Sequence, residues 1–574
     1  MKKLPQKPPL VILNMLVLLL GSCNETSETP VAEAVKAMDL KRGNIIVCGP
    51  ADKEFGAVTF ETSCTRTVKK EFDLALALLH SFEYDEAEKA FAKIIDMEPQ
   101  CAMAYWGVAM CNYHPLWAPP TGAELEKGAK AIAIAQSLSQ KTARESAYIE
   151  AIATFYKDRS SKDHHTRTGN YEKAMEKIYS QFPDDKEAAT FYALALTAAA
   201  DPADKSFKNQ KKAGAILASL HPEKTNHPGI IHYIIHTYDS PGLATLALPA
   251  ARKYAAVAPS SAHALHMPSH IFTRLGLWTE CINSNLASVS SAQCYAQSAG
   301  IKGHWDEELH GLDYLVYGYL QRGENNLAKK QVDYVLNMKE VHPANFKVAY
   351  AFASIPSRYV LENKLWTEAA NLNAHSANFN WKDFPWQKAI IHYTRLLGSV
   401  HGSNPGSAKI ELKHLNAIHD TLVSQKDLYK AAQVQVQVKS SEAWILLKEG
   451  KSKEAVEMME AAAVLEDKTE KHPVTPSEII PARELLADML LHLKRPSEAL
   501  EAYEEVLKKA PNRFNSLYGA GLAAEQFNDQ KKATIYYQQL IAVTNPGTSL
   551  RPELRAAKLF LKRQSDATAT VGIN

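Results

Sequence analysis

His232 and His236 are followed, 34 residues on, by His266 and His270, so two His-x-x-x-His pairs recur at one fixed offset. Side chains four apart share a helix face, so each pair aims two imidazoles in one direction. A 34-residue period suits a helix–turn–helix unit, and stacked units set equivalent faces side by side. Four neutral imidazoles from two neighbouring helices can supply a tetrahedral or tetragonal donor set. His232, His236, His266 and His270 are therefore candidate ligands of a transition ion such as Zn or Cu. Asp239 or Tyr238 could orient a ring through its other nitrogen. Pro268 falls between His266 and His270, and a kink there would pull those rings off one face.

The elements that must hold these residues show in the apolar spacing. Ala499 and Tyr503 are matched by Ala533 and Tyr537, again 34 residues on. From Ser497 to Pro511 apolar residues recur at three and four, Ser opens the run and Pro follows it, which predicts a helix. The same phrase is written at Asp85 to Phe91, followed by Pro99, and at Lys453 to Met459. Only small side chains let adjacent helices approach to about 8 Å. These stretches resemble the tetratricopeptide repeat, and the likeness covers most of residues 70–545. It implies an all-α fold, a right-handed α-solenoid of helical hairpins. His232 to Asp239, His263 to Gly276, Asn112 to Trp117 and Glu466 to Pro476 also resemble a group of bacterial tetratricopeptide lipoproteins, a likeness that implies no reaction.

In repeats of this kind the first helix of each unit lines a concave groove where peptides bind. That geometry would put Gly229, His232, His236, Asp239 and Ser240 on one groove face. His263, His266, His270, Thr273 and Arg274 would form the next, with His310 and Asp313 beyond an insertion and His114 at an edge. His114, Asp239, His263, Arg274 and His310 are accordingly candidate ligand-binding residues. Together with Trp106, Tyr113 and Tyr317 they could form a stacking and hydrogen-bonding surface for a peptide or small anion. Alternatively the histidines are packing residues inside a tight superhelix. No His-Glu-x-x-His, Gly-x-Ser-x-Gly, P-loop or dinucleotide fingerprint is written in the chain, so no catalytic residue is named. A metal-dependent hydrolase on the histidine cluster remains an alternative, with Asp239 as its candidate base. His80 reads as a helix-end residue, His164 and His165 as solvated loop, and His304 as exposed loop or a lid over the groove.

At 574 residues the chain exceeds one ordinary core, which fits a repeat array. Its 65 Lys and Arg are interspersed with 63 Asp and Glu, for a net charge of +2. Such a balance excludes a nucleic-acid stripe or polybasic membrane patch, so nucleic acid is not an expected partner. Lys2, Lys3 and Lys7 precede the apolar run Val11 to Leu20, as in a signal peptide. Leu20-Gly21-Ser22-Cys23 resembles a bacterial lipobox, which implies a cleaved segment 1–22, lipidation at Cys23 and a lipid-anchored place in the bacterial cell envelope, facing periplasm or exterior. The expected layout continues as a flexible tether over 23–44, a small segment over 45–69, a superhelix with the histidine-lined groove over 70–400, a C-terminal array over 401–565 and a disordered tail over 566–574. Export permits disulfides. Cys48 and Cys64 bracket the strand-like Ala57 to Phe60 and are expected to pair, or else to be two buried thiols. The expectation is an anchored scaffold holding a protein, peptide or small ligand, and with it a metal, in its groove.

Overall fold

A computed structural model describes residues 1, 30, 32–50, 54–202, 204–221, 226–375, 379–402, 405–545, 549 and 551–571. The expected signal segment beyond Met1, together with Cys23, lies outside the described residues.

Local chemistry starts and stops the helices. Thr121 with Glu124, and Thr142 with Glu145, form reciprocal capping boxes that satisfy otherwise orphaned amides. Pro228, Pro268, Pro385 and Pro496 open helices at positions whose amide needs no acceptor. Between the two helices of a hairpin one residue takes a left-handed conformation: Phe82 at φ +60°, Lys426 at +61°, Lys494 at +58° and Asn528 at +62°. Gly276 and Gly323 fill the same turn position at φ +64° and +68°, without a Cβ to strain it.

The hairpins stack in chain order from Lys69–His80 with Tyr84–Met97 to Phe514–Gln526 with Gln530–Val543, and Pro552–Val571 follows the last. This is the expected all-α solenoid. Its close approaches are made by small residues against aromatics. A Cβ at Gly519 would lie 2.2 Å from Tyr503 Cζ, and Ala499 and Ala533 are fully buried. The two-residue segments His304–Trp305 and Val341–His342 pair in parallel, the only strands among the described residues. Ala57 to Phe60, expected to be strand-like, is irregular.

The superhelix winds far enough for C-terminal units to touch central ones. Trp278 Nε1 donates to Asn512 O at 2.8 Å, and the Phe514 amide donates to Gln321 Oε1 at 2.8 Å. Arg513 is buried between Glu362 at 2.6 Å and Glu484 at 2.7 Å. The irregular segment after Ser452–Lys468 runs inside this turn, where Arg358 donates to the carbonyls of Ser477 and Glu478.

Several boundaries differ from expectation. Cys48 bonds Cys294, and Cys64 bonds Cys101, so the expected Cys48–Cys64 bridge does not form. The reason is tertiary: the segment between them drapes over the solenoid, with Phe55 and Phe60 in its core, which carries its two cysteines to different helices. The tether expected over 23–44 is ordered in its second half. Ala32–Lys36 is helical, Met38 and Leu40 are buried, and the Lys41 amide donates to Glu88. The tail expected from 566 continues the helix Pro552–Val571. The division expected at 400 falls between two packed helices, Pro385–His401 and Pro405–Ser424. Among the described residues no helix is long and apolar enough to cross a membrane.

Removing the Cys48–Cys294 bridge, which spans 246 residues, should cost about 2–5 kcal/mol. Cys294→Ser is expected to lower the thermal midpoint and leave Cys48 open to thiol labelling; a linked Cys48–Cys64 peptide in a non-reduced digest would contradict the pairing.

Candidate histidine centre

The four paired histidines do not make one four-nitrogen set. They divide into two groups of three, each completed by a residue from the next unit. Helix Pro228–Thr237 supplies His232 and His236, and Ala262–His266 adds His263. His232 Nε2 lies 2.9 Å from His236 Nε2 and 3.1 Å from His263 Nε2. In the second group His266 Nε2 lies 3.1 Å from His270 Nε2, and the rings of His266 and His310 are 4.1 Å apart. The break at Met267 between Ala262–His266 and Pro268–Arg274 does not separate His266 from His270. The feared kink re-aims the chain while both rings still converge.

Hydrogen bonds fix which nitrogen faces inward. His232 Nδ1 is 2.7 Å from the His80 carbonyl, which can only accept, so the proton sits on Nδ1 and Nε2 carries a lone pair. Asn285 Nδ2 donates to Cys281 O, which leaves Asn285 Oδ1 to accept from His266 Nδ1 at 2.7 Å. His270 Nδ1 donates to Asp239 Oδ2 at 3.0 Å. The contact between His266 Nε2 and His270 Nε2 thus sets two lone pairs 3.1 Å apart, with the Tyr314 hydroxyl 3.5 Å from the His270 nitrogen. Neutral rings cannot hydrogen-bond that way. Protonation is a poor remedy: burial first, and then the neighbouring His270, push the His266 imidazole well below its ordinary value. Burial also lowers His270, against the opposing pull of Asp239. A tetrahedral ion with bonds of about 2.0–2.1 Å wants its nitrogens roughly 3.3 Å apart, close to what both groups offer.

Asp239 orients the second group and is held in turn. Burial would raise its carboxyl, but Lys471, Arg274 and His270 outweigh burial and keep it well below the usual range. Arg274 Nε donates to Asp239 Oδ1 at 2.8 Å and Lys471 Nζ lies 3.6 Å from Oδ2. Burial brings the Lys471 ammonium down to about 8. The oxygens of Asp239 are thus engaged by His270, Arg274 and Lys471. Arg274, expected among the ligand-binding residues, bonds Asp239 and also lines two cavities. Trp106, Tyr113 and Tyr317, expected to offer a stacking surface, are buried in the core.

A third buried cluster answers to different chemistry. Glu187 accepts from His80 Nε2 at 2.9 Å and from His227 Nε2 at 2.6 Å. His227 Nδ1 accepts the Ile230 amide, capping Pro228–Thr237, and the Tyr233 hydroxyl donates to His80 Nδ1. Every nitrogen here has its hydrogen-bond partner, so the cluster is a brace and not a ligand set. His80, expected merely to end its helix, therefore holds the first group: its ring is clamped by Glu187 and its carbonyl sets His232. Gly229 lets them meet, since a Cβ there would lie 2.4 Å from His80 Nδ1. Phe82, in the adjacent turn, faces His232, His236 and His263 at ring distances of 4.5, 5.6 and 5.8 Å.

The remaining candidates lie outside both groups. His114 pairs with Glu124 at 3.2 Å and stands with His263 at a cavity of about 240 Å³ that also takes in Phe82, Trp117 and Trp305. His164 and His165, expected in a loop, begin the helix His164–Gln181, with His164 packed on Phe155. His304 sits in the short strand pair, bonded to Glu308, and is no lid. Glu187, His227, Asn285, Lys471 and Tyr314, whose hydroxyl lies 3.3 Å from His270 Nδ1, went unread as site residues because their roles come from tertiary placement.

A tetratricopeptide repeat family model matches residues 72–114, 441–514 and 484–547. Tetratricopeptide repeats are thus present at residues 72–114 and 441–547. Solved structures similar to it include the tetratricopeptide domain of P58(IPK), at 16% identity and a TM-score of 0.21, covering 66% of this chain and 99% of that one. Naa15/Naa10 bound to HypK matches at 12% identity and 0.23, covering 88% and 80%. Yeast Tom70 matches at 11% identity and 0.32, covering 87% and 96%. No curated protein sequence matches the chain.

His80 and His227 hold the Glu187 carboxylate below its ordinary value of 4.5, against the larger opposing effect of burial. A depressed carboxylate contributes stability that is present above that value and lost as pH falls below it. Glu187→Gln should therefore melt lower than wild type at pH 7, with a gap that closes on acidification; an equal gap at pH 7 and pH 3 would show the charge to be unimportant.

Proposed function

We propose that this tetratricopeptide scaffold binds transition-metal ions, Zn or Cu, in its two three-histidine groups. The facing lone pairs of His266 and His270 carry the reading, because buried neutral nitrogens at that distance are arranged for a shared cation. The outer hydrogen bonds support it: metal-bound histidines ordinarily give the remaining ring N–H to a carbonyl or carboxylate, as His232 and His270 do here. His114 and Arg274 have no direct part in holding the ions, and Asp239 acts by orienting His270.

Engagement of a protein segment is compatible with this role and is what such repeats provide. One observation supports it within the chain itself. The segment 469–481 lies against Tyr350, Arg358, Tyr429 and Gln433 through its backbone carbonyls, much as a peptide would occupy a groove. Lipidation at Cys23 and a place in the cell envelope belong to the same proposal. The two disulfides support an oxidising compartment.

Protein purified without a histidine tag should retain or take up Zn or Cu. Free ion at about 100 times Kd should add about 2.7 kcal/mol of stability per site. His266→Ala should abolish uptake at its group, and Asn285→Ala should weaken it by roughly 10–100-fold through loss of ring orientation. Uptake below a tenth of an equivalent, with no thermal shift on titration, would sink the reading.

A further inference from the structure

We infer that the two three-histidine groups form one dinuclear centre and that the ions it takes are copper. The inference rests on the metal reading above and adds to it the coupling of the two sites and the identity of the ion.

One five-residue helix, Ala262–His266, gives His263 to the first group and His266 to the second, so neither site exists without the other's backbone. Across the groups the rings of His236 and His270 are 6.3 Å apart, the width of about one side chain. The units bearing them are adjacent in the stack. Ions held by the two groups would therefore be near neighbours.

Charge selects between ions. All six inward donors are neutral imidazoles. Asp239 is already bonded to His270 and offset by Arg274 and Lys471, while Glu83 and Glu307, which share a cavity with His263, are bonded to Ser261 and Lys347. The thiol of Cys281 is turned to Asn285 and held protonated by burial. Two zinc ions would bring four positive charges among buried groups whose nearby carboxylates, among the described residues, already have partners, a heavy desolvation penalty. Two monovalent copper ions bring half that charge, and imidazole suits copper. Each group has only three protein donors, so a coordination position stays open at each ion. A cavity of about 280 Å³ takes in His236, Trp117, Thr197 and Phe207, and a second takes in His263, which gives small molecules a way to the first group.

The test uses the untagged full chain. Anaerobic titration with Cu(I) against a competing chelator should saturate at two equivalents, and Zn(II) should stop at one, because the first doubly charged ion repels the second. Loaded with one equivalent of Cu(II), the chain should give an electron paramagnetic resonance signal whose hyperfine pattern changes when a second equivalent is added as Cu(I). His263→Gln and His310→Gln each dismantle one group, so each should bind one copper and give a signal that added Cu(I) leaves unchanged. The two variants stand in for one another should either fail to give the wild-type circular dichroism spectrum. A Cu(II) signal that a second equivalent of Cu(I) leaves unchanged in the wild type would overturn the dinuclear centre, and two zinc ions held with similar affinity would overturn the choice of copper, in both cases leaving metal binding intact. Retention of neither metal would overturn this inference and the reading beneath it together.

Discussion

Packing six imidazoles together requires that the nitrogen to be protonated be specified, and for three of them the structure does this with outward hydrogen bonds. His232 gives its Nδ1 proton to the His80 carbonyl, His266 to Asn285 and His270 to Asp239. The three acceptors come from different places in the solenoid: the end of the first hairpin's leading helix, the face of Trp278–Ser298, and the turn after Pro228–Thr237. Without them the rings would be buried polar groups at a cost of about 1–3 kcal/mol each, free to pair nitrogen with nitrogen and close the space between them. The superhelical winding that brings His80 beneath His232 is thus as much a part of the site as the histidines.

The same dependence explains what the amino-acid order disclosed. Repeat period and small-residue spacing are local, so the solenoid could be read from Ala499, Tyr503 and their shifted copies. The histidine pairs were legible for the same reason, because a helix fixes i and i+4 regardless of tertiary context. Their grouping was not. His263 and His310 stood out as groove residues, but their joining separate pairs depends on how far each unit rotates against the next. His80 and Glu187 are 107 residues apart and meet only after several turns of the solenoid. The disulfides failed to show for the mirror-image reason: Cys48 and Cys64 are close in sequence, and the intervening strand of chain carries them to different helices.

Two histidine clusters of similar composition also reach opposite chemistry here. Around Glu187 each imidazole nitrogen is matched to a donor or acceptor of the opposite kind, which rigidifies the stack. Around His266 and His270 the matching is deliberately incomplete on the inner side. Counting histidines would rank the clusters together; following their protons separates them.

Lys471 reaches Asp239 from a segment that is otherwise tied to Arg358 and Tyr350 in the C-terminal half. The charge beside His270 is therefore set by a stretch of chain whose other anchors lie many residues away. Anything that draws 469–481 off those anchors strips a cation from Asp239 and makes its bond to His270 stronger. By linkage, a change in the hold on that ring must in turn alter how firmly the segment lies down. The repeats and the histidine centre are in this sense two ends of one lever, with the segment as its arm.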